Sequence, residues 1–566
     1  MKALKQIQGM TILFLLIFVF TGCKNKPPVK PIREPVPAVL VSSPVRFSDR
    51  AEQAGIHFRL GHKGKSPLTI LETAGCGCAF LDYDSDGFLD ILLVGEPRCA
   101  LYRNRHDGTF EDVTDKVGLT ATGTFLGCAV ADYDNDGSPD ILLTGFGRNV
   151  LYHNKQGHFE DVTLQYGLQS RHPYDWATSA TFTDLDNDGR LDLVVCHYVT
   201  FTPKTLRTCA YEGIQAACPP FYYEPQTLTV FHNEGKRFRD VTVAWGFSGG
   251  HGNNLGVIAA DFNEDGKPDL YVANDGTPAD LWQNDGKSVG GAFTPHFTNI
   301  AVQSGTAYDA DGAPQAGMGV DAGDYDGDGR LDLVVTTFQD QAKAVYHNEG
   351  EGQFRFNSFG VGVGAQTKTH LGFGVLLQDF DNDGWLDLMI ANGHVQDTIQ
   401  RYHPPVTYAQ TPQCFWNKGD GTFAEVSSSC GPAFSTPIVG RGLASGDYDN
   451  DGKVDVLMVD IEGKPLLLHN ESLSNHWLGI KLMGKKSNRD GIGARLTLEA
   501  GSRRIVQEVR TGRSYLSACD PRTIFGLGAW NRPVSLKVHW PAGQTERFDL
   551  PNLDRWLTLQ EGSGKP

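Results

Sequence analysis

The stretch Asp82-Tyr83-Asp84-Ser85-Asp86-Gly87-Phe88-Leu89-Asp90 decides the fold, because the chain repeats its pattern, D-x-D/N-x-D-G-x-x-D, seven times. The other copies start at Asp132, Asp184, Asp261, Asp324, Asp379 and Asp447. Each copy keeps Asp at the first, fifth and ninth places and Gly at the sixth; the third is Asp except for Asn263. A small-residue segment precedes each copy and an apolar run such as LDILLV or LDLMIA follows it. Short runs rich in Val, Ile and Leu between turn signals read as strands. Working outward, a third segment ends in Asn (Asn104, Asn154, Asn233, Asn284, Asn348, Asn417, Asn470), and a fourth starts at Phe110, Phe159, Phe238, Phe297 and Phe423, with a degenerate copy near Phe354. Four strands per unit is the blade of a propeller. The fold class predicted is all-β, a seven-bladed β-propeller over 47–472 followed by a small β-sandwich-like domain over 473–562. Phe47-Ser48-Asp49 is a Phe-led strand with no unit before it, and the last unit lacks one. The N-terminal strand is therefore expected to complete blade seven and remove the open edge.

The acidic copies have the chemistry of calcium loops. Calcium takes six to eight oxygens at ~2.3–2.6 Å, and alternate carboxylates in a tight loop converge on one centre. Gly at the sixth place permits the sharp turn. The expected ligands are Asp82, Asp84, Asp86 and Asp90; Asp132, Asp134, Asp136 and Asp140; Asp184, Asp186, Asp188 and Asp192; Asp261, Asn263, Asp265 and Asp269; Asp324, Asp326, Asp328 and Asp332; Asp379, Asp381, Asp383 and Asp387; and Asp447, Asp449, Asp451 and Asp455. A single match would be an acidic solvated turn about a third of the time; seven in one register make that reading remote. About seven structural Ca²⁺ ions would offset most of the formal charge of −17. Asn263 gives loop four one charge fewer, so that site should be the weakest. An EF-hand is rejected, because strands flank these loops and no Glu stands at the twelfth place.

The N-terminus reads as an export signal. Lys2 and Lys5 precede an apolar run from Met10 to Phe20, short of the ~20 residues that span a bilayer. Phe20-Thr21-Gly22-Cys23 resembles a bacterial lipobox, which implies a signal peptide over 1–22, lipidation of Cys23 and a Pro-rich tether over 23–46. The membrane would be met only through that anchor. Export permits disulfides, and Cys209–Cys218 and Cys414–Cys430 are the preferred pairs. The acidic balance excludes nucleic acid as a partner.

The repeats look like the FG-GAP/VCBS repeats of integrin α-chain propellers, and blades plus tail are similar to the cartilage acidic protein family. The tail resembles the ASPIC/UnbV domain in NHWLGIKL from Asn475, DGIGARL from Asp490, VRTGRSYLS from Val509, DPRTIFGLG from Asp520 and VHWPAG from Val538. The resemblance implies calcium binding and extracellular placement, not a particular activity. Asp520-Pro521-Arg522 is the one polar cluster of the tail, read first as a structural turn with an internal ion pair.

All acidic loops join strands one and two, so they share a face. Insertions at 197–226, 303–315 and 393–412 fall on the opposite face, which is expected to bind a protein or glycan ligand. His197, Tyr198, Asn274, Asp275 and His394 are the candidate contacts there. No catalytic residue is assigned: neither a nucleophile elbow nor H-E-x-x-H occurs. The leading reading is a calcium-binding adhesion scaffold; the alternative is a calcium-dependent polysaccharide lyase or hydrolase using the same face.

Overall fold

The computed structural model describes residues 43–59, 64–289 and 292–566. The expected signal peptide, Cys23 and the tether up to residue 42 lie outside the described residues.

Seven four-stranded antiparallel sheets share one meander topology. In blade one the strands are Cys78–Leu81, Asp90–Leu93, Ala100–Asn104 and Phe110–Asp112. The first strand of each blade neighbours that of the next, and Gly440–Gly446 of the last neighbours Cys78–Leu81 of the first. These sheets therefore form a closed β-propeller. Inner strands are buried along nearly their whole length, which explains the small residues in and just before them: an added Cβ at Gly256 would stand 2.2 Å from the Met318 carbonyl oxygen, and one at Gly319 2.2 Å from that of Phe373. Larger side chains would hold the blades apart at the axis.

The N-terminal strand Phe47–Asp49 completes the last blade. Phe47 pairs with Asn470 and Asp49 with Leu468, and the Phe47 ring packs edge-on to Phe380 at 5.4 Å. The Asn ending each third strand acts as a fastener. Its side-chain Nδ2 donates to a carbonyl in the acidic loop of the preceding blade at 2.8–3.1 Å: Asn154 to Tyr83, Asn233 to Tyr133, Asn284 to Leu185, Asn348 to Phe262, Asn417 to Tyr325 and Asn470 to Phe380. Asn104 reaches Tyr448 at 2.8 Å and closes the circuit across 344 residues of sequence. Buried amides need such partners, and here each one ties two blades together.

The tail is a sandwich of two sheets. Thr523–Gly528, His476–Met483 and Trp556–Gln560 form one, with the last pair parallel; Arg503–Glu508, Arg495–Ala500, Val534–His539 and Thr545–Leu550 form the other. Leu478, Leu496, Leu498, Leu536 and Trp540 are fully buried between them, in a core continuous with Tyr133 and Phe182 of the propeller. Backbone pairing of Arg547 with Lys565 extends the domain beyond residue 562.

Candidate functional site

The acidic loops share one geometry. The fourth residue has positive φ (Ser85 59°, Asn135 63°, Asn187 56°, Glu264 60°, Asn382 55°, Asn450 60°, with Gly327 at 79°), and the Gly at the sixth place follows with another positive φ. Two left-handed residues within three curl the loop tightly, so that the first, third and fifth carboxylates face inward. The first Asp accepts the N–H of that Gly, as Asp132 does from Gly137 at 2.7 Å and Asp379 from Gly384 at 2.7 Å. The fifth Asp accepts from the seventh residue's N–H, as Asp136 does from Ser138 at 2.9 Å. Ligand atoms of Asp82, Asp84 and Asp86 lie within 4.8 Å of one another, as do those of Asp132, Asp134 and Asp136. Oδ1 of Asp82, of Asp84 and of Asp186 is buried with no hydrogen-bond partner. A bare buried carboxylate oxygen is costly unless a cation meets it, so the donor set fits a hard divalent ion.

The ninth Asp has a second role that its place in the motif does not reveal. Its Oδ2 accepts the second residue's N–H, at 3.1 Å from Tyr83 to Asp90, and its Oδ1 accepts the N–H of the fastening Asn, at 2.8 Å from Asn104 to Asp90. This carboxylate thus joins the loop to the inter-blade fastener. Burial pushes Asp90 and Asp132 up to about 8 and Asp140, Asp324 and Asp455 up to about 7. Without a cation these groups resist ionisation near neutral pH.

The residue before the fastening Asn also faces the loop. His153 Nδ1 lies 3.1 Å from Asp140 and 3.4 Å from Asp134; His232, His347 and His469 repeat the arrangement. The facing carboxylate of the ninth Asp raises the pKa of all four imidazoles. In blade one Arg103 takes this place, with Nε 2.6 Å from Asp84. In blade six Trp416 donates from Nε1 to Asp381 at 3.2 Å. The recurring tripeptide ending in His-Asn carried this signal in the sequence.

The tail covers the acidic-loop face. Asp490 accepts the Asp132 N–H at 2.9 Å, Arg495 pairs with Glu264 at 2.6 Å, and Trp556 Nε1 donates to Asp447 Oδ2 at 3.1 Å. Asp520 and Arg522 do form an internal ion pair, at 2.8 Å, and Arg522 continues to Asn450 Oδ1 and the Asp447 carbonyl. The segment 510–520 enters the propeller axis. It exchanges backbone hydrogen bonds with Val320 through Ser514 and with Cys78 and Phe80 through Ala518, accepts from Cys128 through Leu516, and sends the Tyr515 hydroxyl to the Ala74 carbonyl at 2.9 Å.

The opposite end of the axis is also closed. The hairpin Thr208–Tyr211 and Ile214–Ala217, stapled by the Cys209–Cys218 disulfide, crosses to the blade-six insertion. There Gln396 and Thr398 donate to its carbonyls at 3.3 and 3.0 Å, and Tyr211 stacks on Tyr402. Below it, Ile70–Ala74 is a helix capped by Thr69 and Glu72. The Arg441 guanidinium, fully buried, donates to the carbonyls of Thr73, Gly393, Gly440 and His394.

This closure corrects the expected ligand contacts. His197, Tyr198, Asn274 and His394 are buried, not surface groups. His197 lies 2.9 Å from Asp175 and 3.1 Å from the Thr229 hydroxyl, Tyr198 donates to Asp275 at 2.5 Å, and Asn274 donates to Pro278 O and Asp280. Connectivity placed them at the right end of the blades, but the insertions fold back over them. Cys414 and Cys430 are likewise buried free thiols, not joined by a disulfide, and the Cys430 thiol donates to the Val426 carbonyl at 3.4 Å.

A propeller whose blades each carry an acidic loop, plugged by a C-terminal sandwich, defines a class of repeat scaffold. Six matches to the FG-GAP-like repeat model, at 82–143, 132–195, 221–272, 261–335, 324–390 and 379–458, together cover more than half of the sequence, and the chain belongs to that family. Residues 484–566 match the ASPIC and UnbV model. Among curated proteins it is similar to cartilage acidic protein 1 of Mus musculus (24% identity over 54% of this chain and 44% of that protein) and of Xenopus tropicalis (25%, over 53% and 42%). The chain thus matches less than half the length of these relatives. Among solved structures it resembles an Agrocybe aegerita lectin recognising non-reducing terminal N-acetylglucosamine (16% identity, TM-score 0.39, 69% of this chain and 86% of that one). It also resembles a Bacillus licheniformis rhamnogalacturonan lyase (15%, TM-score 0.30, 82% and 81%). No helix among the described residues is long and apolar enough to cross a membrane.

Proposed function

We propose that this protein is an exported, lipid-anchored binding scaffold whose propeller is held shut by calcium in the acidic loops and whose ligand, a protein or glycan, docks on the face opposite them. The observation that carries the calcium reading is the bare, buried Oδ1 of Asp82, Asp84 and Asp186, carboxylates that the loops gather with others around one centre. Bound calcium would supply positive charge at each loop and take the carboxylate oxygens as ligands. The chain's own contribution is orientation: the left-handed fourth and sixth residues aim the first, third and fifth carboxylates, and the ninth passes the loop's position to the fastening Asn. The acidic-loop face is occupied by the tail, which leaves the insertion-bearing face for a partner. Equilibrium dialysis with ⁴⁵Ca²⁺ tests the metal reading: several ions per chain are expected, with the weakest site at loop four, which carries Asn263. Absence of high-affinity calcium would refute it. Capture of surface glycans or proteins by the mature chain, lost on blocking the insertion face, tests the scaffold.

A further inference from the structure

A cavity of about 340 Å³ opens on the insertion-bearing face, between the helix Ile70–Ala74, the blade-one connection at Glu96, the start of blade two and the blade-three insertion. Leu71 and Leu206 present apolar surface to it, backed by Phe125, while Glu72, Glu96 and Thr124 supply oxygens. No Lys or Arg belongs to its described lining.

The parts of this cavity are held in place. Thr69 donates from its N–H and its hydroxyl to Glu72 Oε2 at 2.7 and 2.8 Å, which fixes that carboxylate at the rim. The turn at 202–206, closed by the Leu206 N–H donating to Thr202 O at 2.9 Å, carries Leu206 to the mouth, half exposed. Phe201, also in the wall, touches Phe146 at 5.9 Å, and Phe146 touches the exposed Tyr174 at 6.5 Å, so an aromatic path leads from the cavity to the outer rim.

We infer that this cavity is a binding site for the end of a neutral saccharide chain. The inference rests on the scaffold reading above and gives it a location and a ligand class. The volume lies in the range of small-ligand sites. Carboxylates with no Lys or Arg beside them in the described lining accept hydrogen bonds from hydroxyl groups and disfavour anions, which selects against uronates, sulfated sugars and phosphates. Apolar side chains beside them match the C–H face of a pyranose, and the exposed Tyr174 extends the contact along an oligomer.

The test is retention of the mature chain, in calcium, on an oligosaccharide array graded by charge, with neutral hexose and N-acetylhexosamine oligomers beside uronate-bearing and sulfated ones. Retention confined to neutral members is expected. Leu206→Arg and, separately, Glu96→Gln should weaken it at least ten-fold with the melting temperature unchanged, whereas Leu164→Arg, on an exposed turn of blade two outside the cavity, should leave it intact. Preference for anionic sugars, or neutral binding indifferent to both cavity variants, overturns the inference. Capture of a protein ligand without saccharide retention overturns it while leaving the scaffold reading standing; failure to retain either class sinks both.

Discussion

Replacing Asn104 by Ala removes the fastener between the first and last blades. Three hydrogen bonds go with it: Nδ2 to Leu89 O at 3.0 Å, Nδ2 to Tyr448 O at 2.8 Å, and the His106 N–H to Oδ1 at 2.9 Å. The Asn104 side chain is buried, so the two carbonyls cannot all regain water. At about 1 kcal/mol for each lost bond, more where a group stays unpaired, the cost is about 3 kcal/mol. Asn348→Ala breaks the equivalent set, to Phe262 O at 2.9 Å, Leu331 O at 3.0 Å and from the Gly350 N–H at 2.9 Å, between neighbouring blades. A ring without a seam predicts the same cost for both. Urea unfolding in excess calcium reads it as a shift in midpoint at constant slope. A loss below about 0.5 kcal/mol for Asn104→Ala, against about 3 kcal/mol for Asn348→Ala, would show that the ring is not closed through this contact.

Three further outcomes are expected. In metal-stripped protein the buried Asp90, Asp132, Asp140 and Asp455 hold protons that the unfolded chain has released. Stability should therefore fall as pH rises from about 4 to about 8, and calcium should restore it at the upper end; a melting temperature that climbs with pH in chelator contradicts the burial argument. Cys209→Ser with Cys218→Ser opens a short loop, with a sequence separation of 9, and should cost about 2–3 kcal/mol or free the strap for proteolysis near Leu206. An unchanged melt and cleavage pattern would mean the strap is held without the disulfide. Arg441→Met strands the carbonyls of Thr73, Gly393 and His394 and should destabilise by about 3 kcal/mol, measured by the same urea titration; a neutral result would mean the buried guanidinium is dispensable.

The periodic features of this chain were legible because they are local. The acidic loops depend on side chains fixed within nine residues of each other, and the unpaired Phe47 strand foretold its pairing with Asn470. What stayed hidden depends on distant groups or on the backbone. The segment 510–520 stood out as a motif, but its place in the axis did not, because its main-chain and side-chain partners, such as Val320, Ala322 and Ala74, lie in distant parts of the propeller. The fastening Asn recurred visibly, but the partner that makes it a fastener is a carbonyl in another blade. Connectivity assigned His197, Tyr198 and His394 to the correct end of their blades, yet their burial follows from how the insertion hairpin crosses the face. The helix Ile70–Ala74 and its Glu72 are a single, unrepeated feature, so no periodicity announced them.

The most direct measurement is differential scanning calorimetry of protein freed of divalent ions, verified by elemental analysis, before and after calcium is restored. A ring kept shut by cations among its acidic loops predicts a large, reversible rise in melting temperature on calcium addition, saturating at several ions per chain. An identical melt in both states would contradict it.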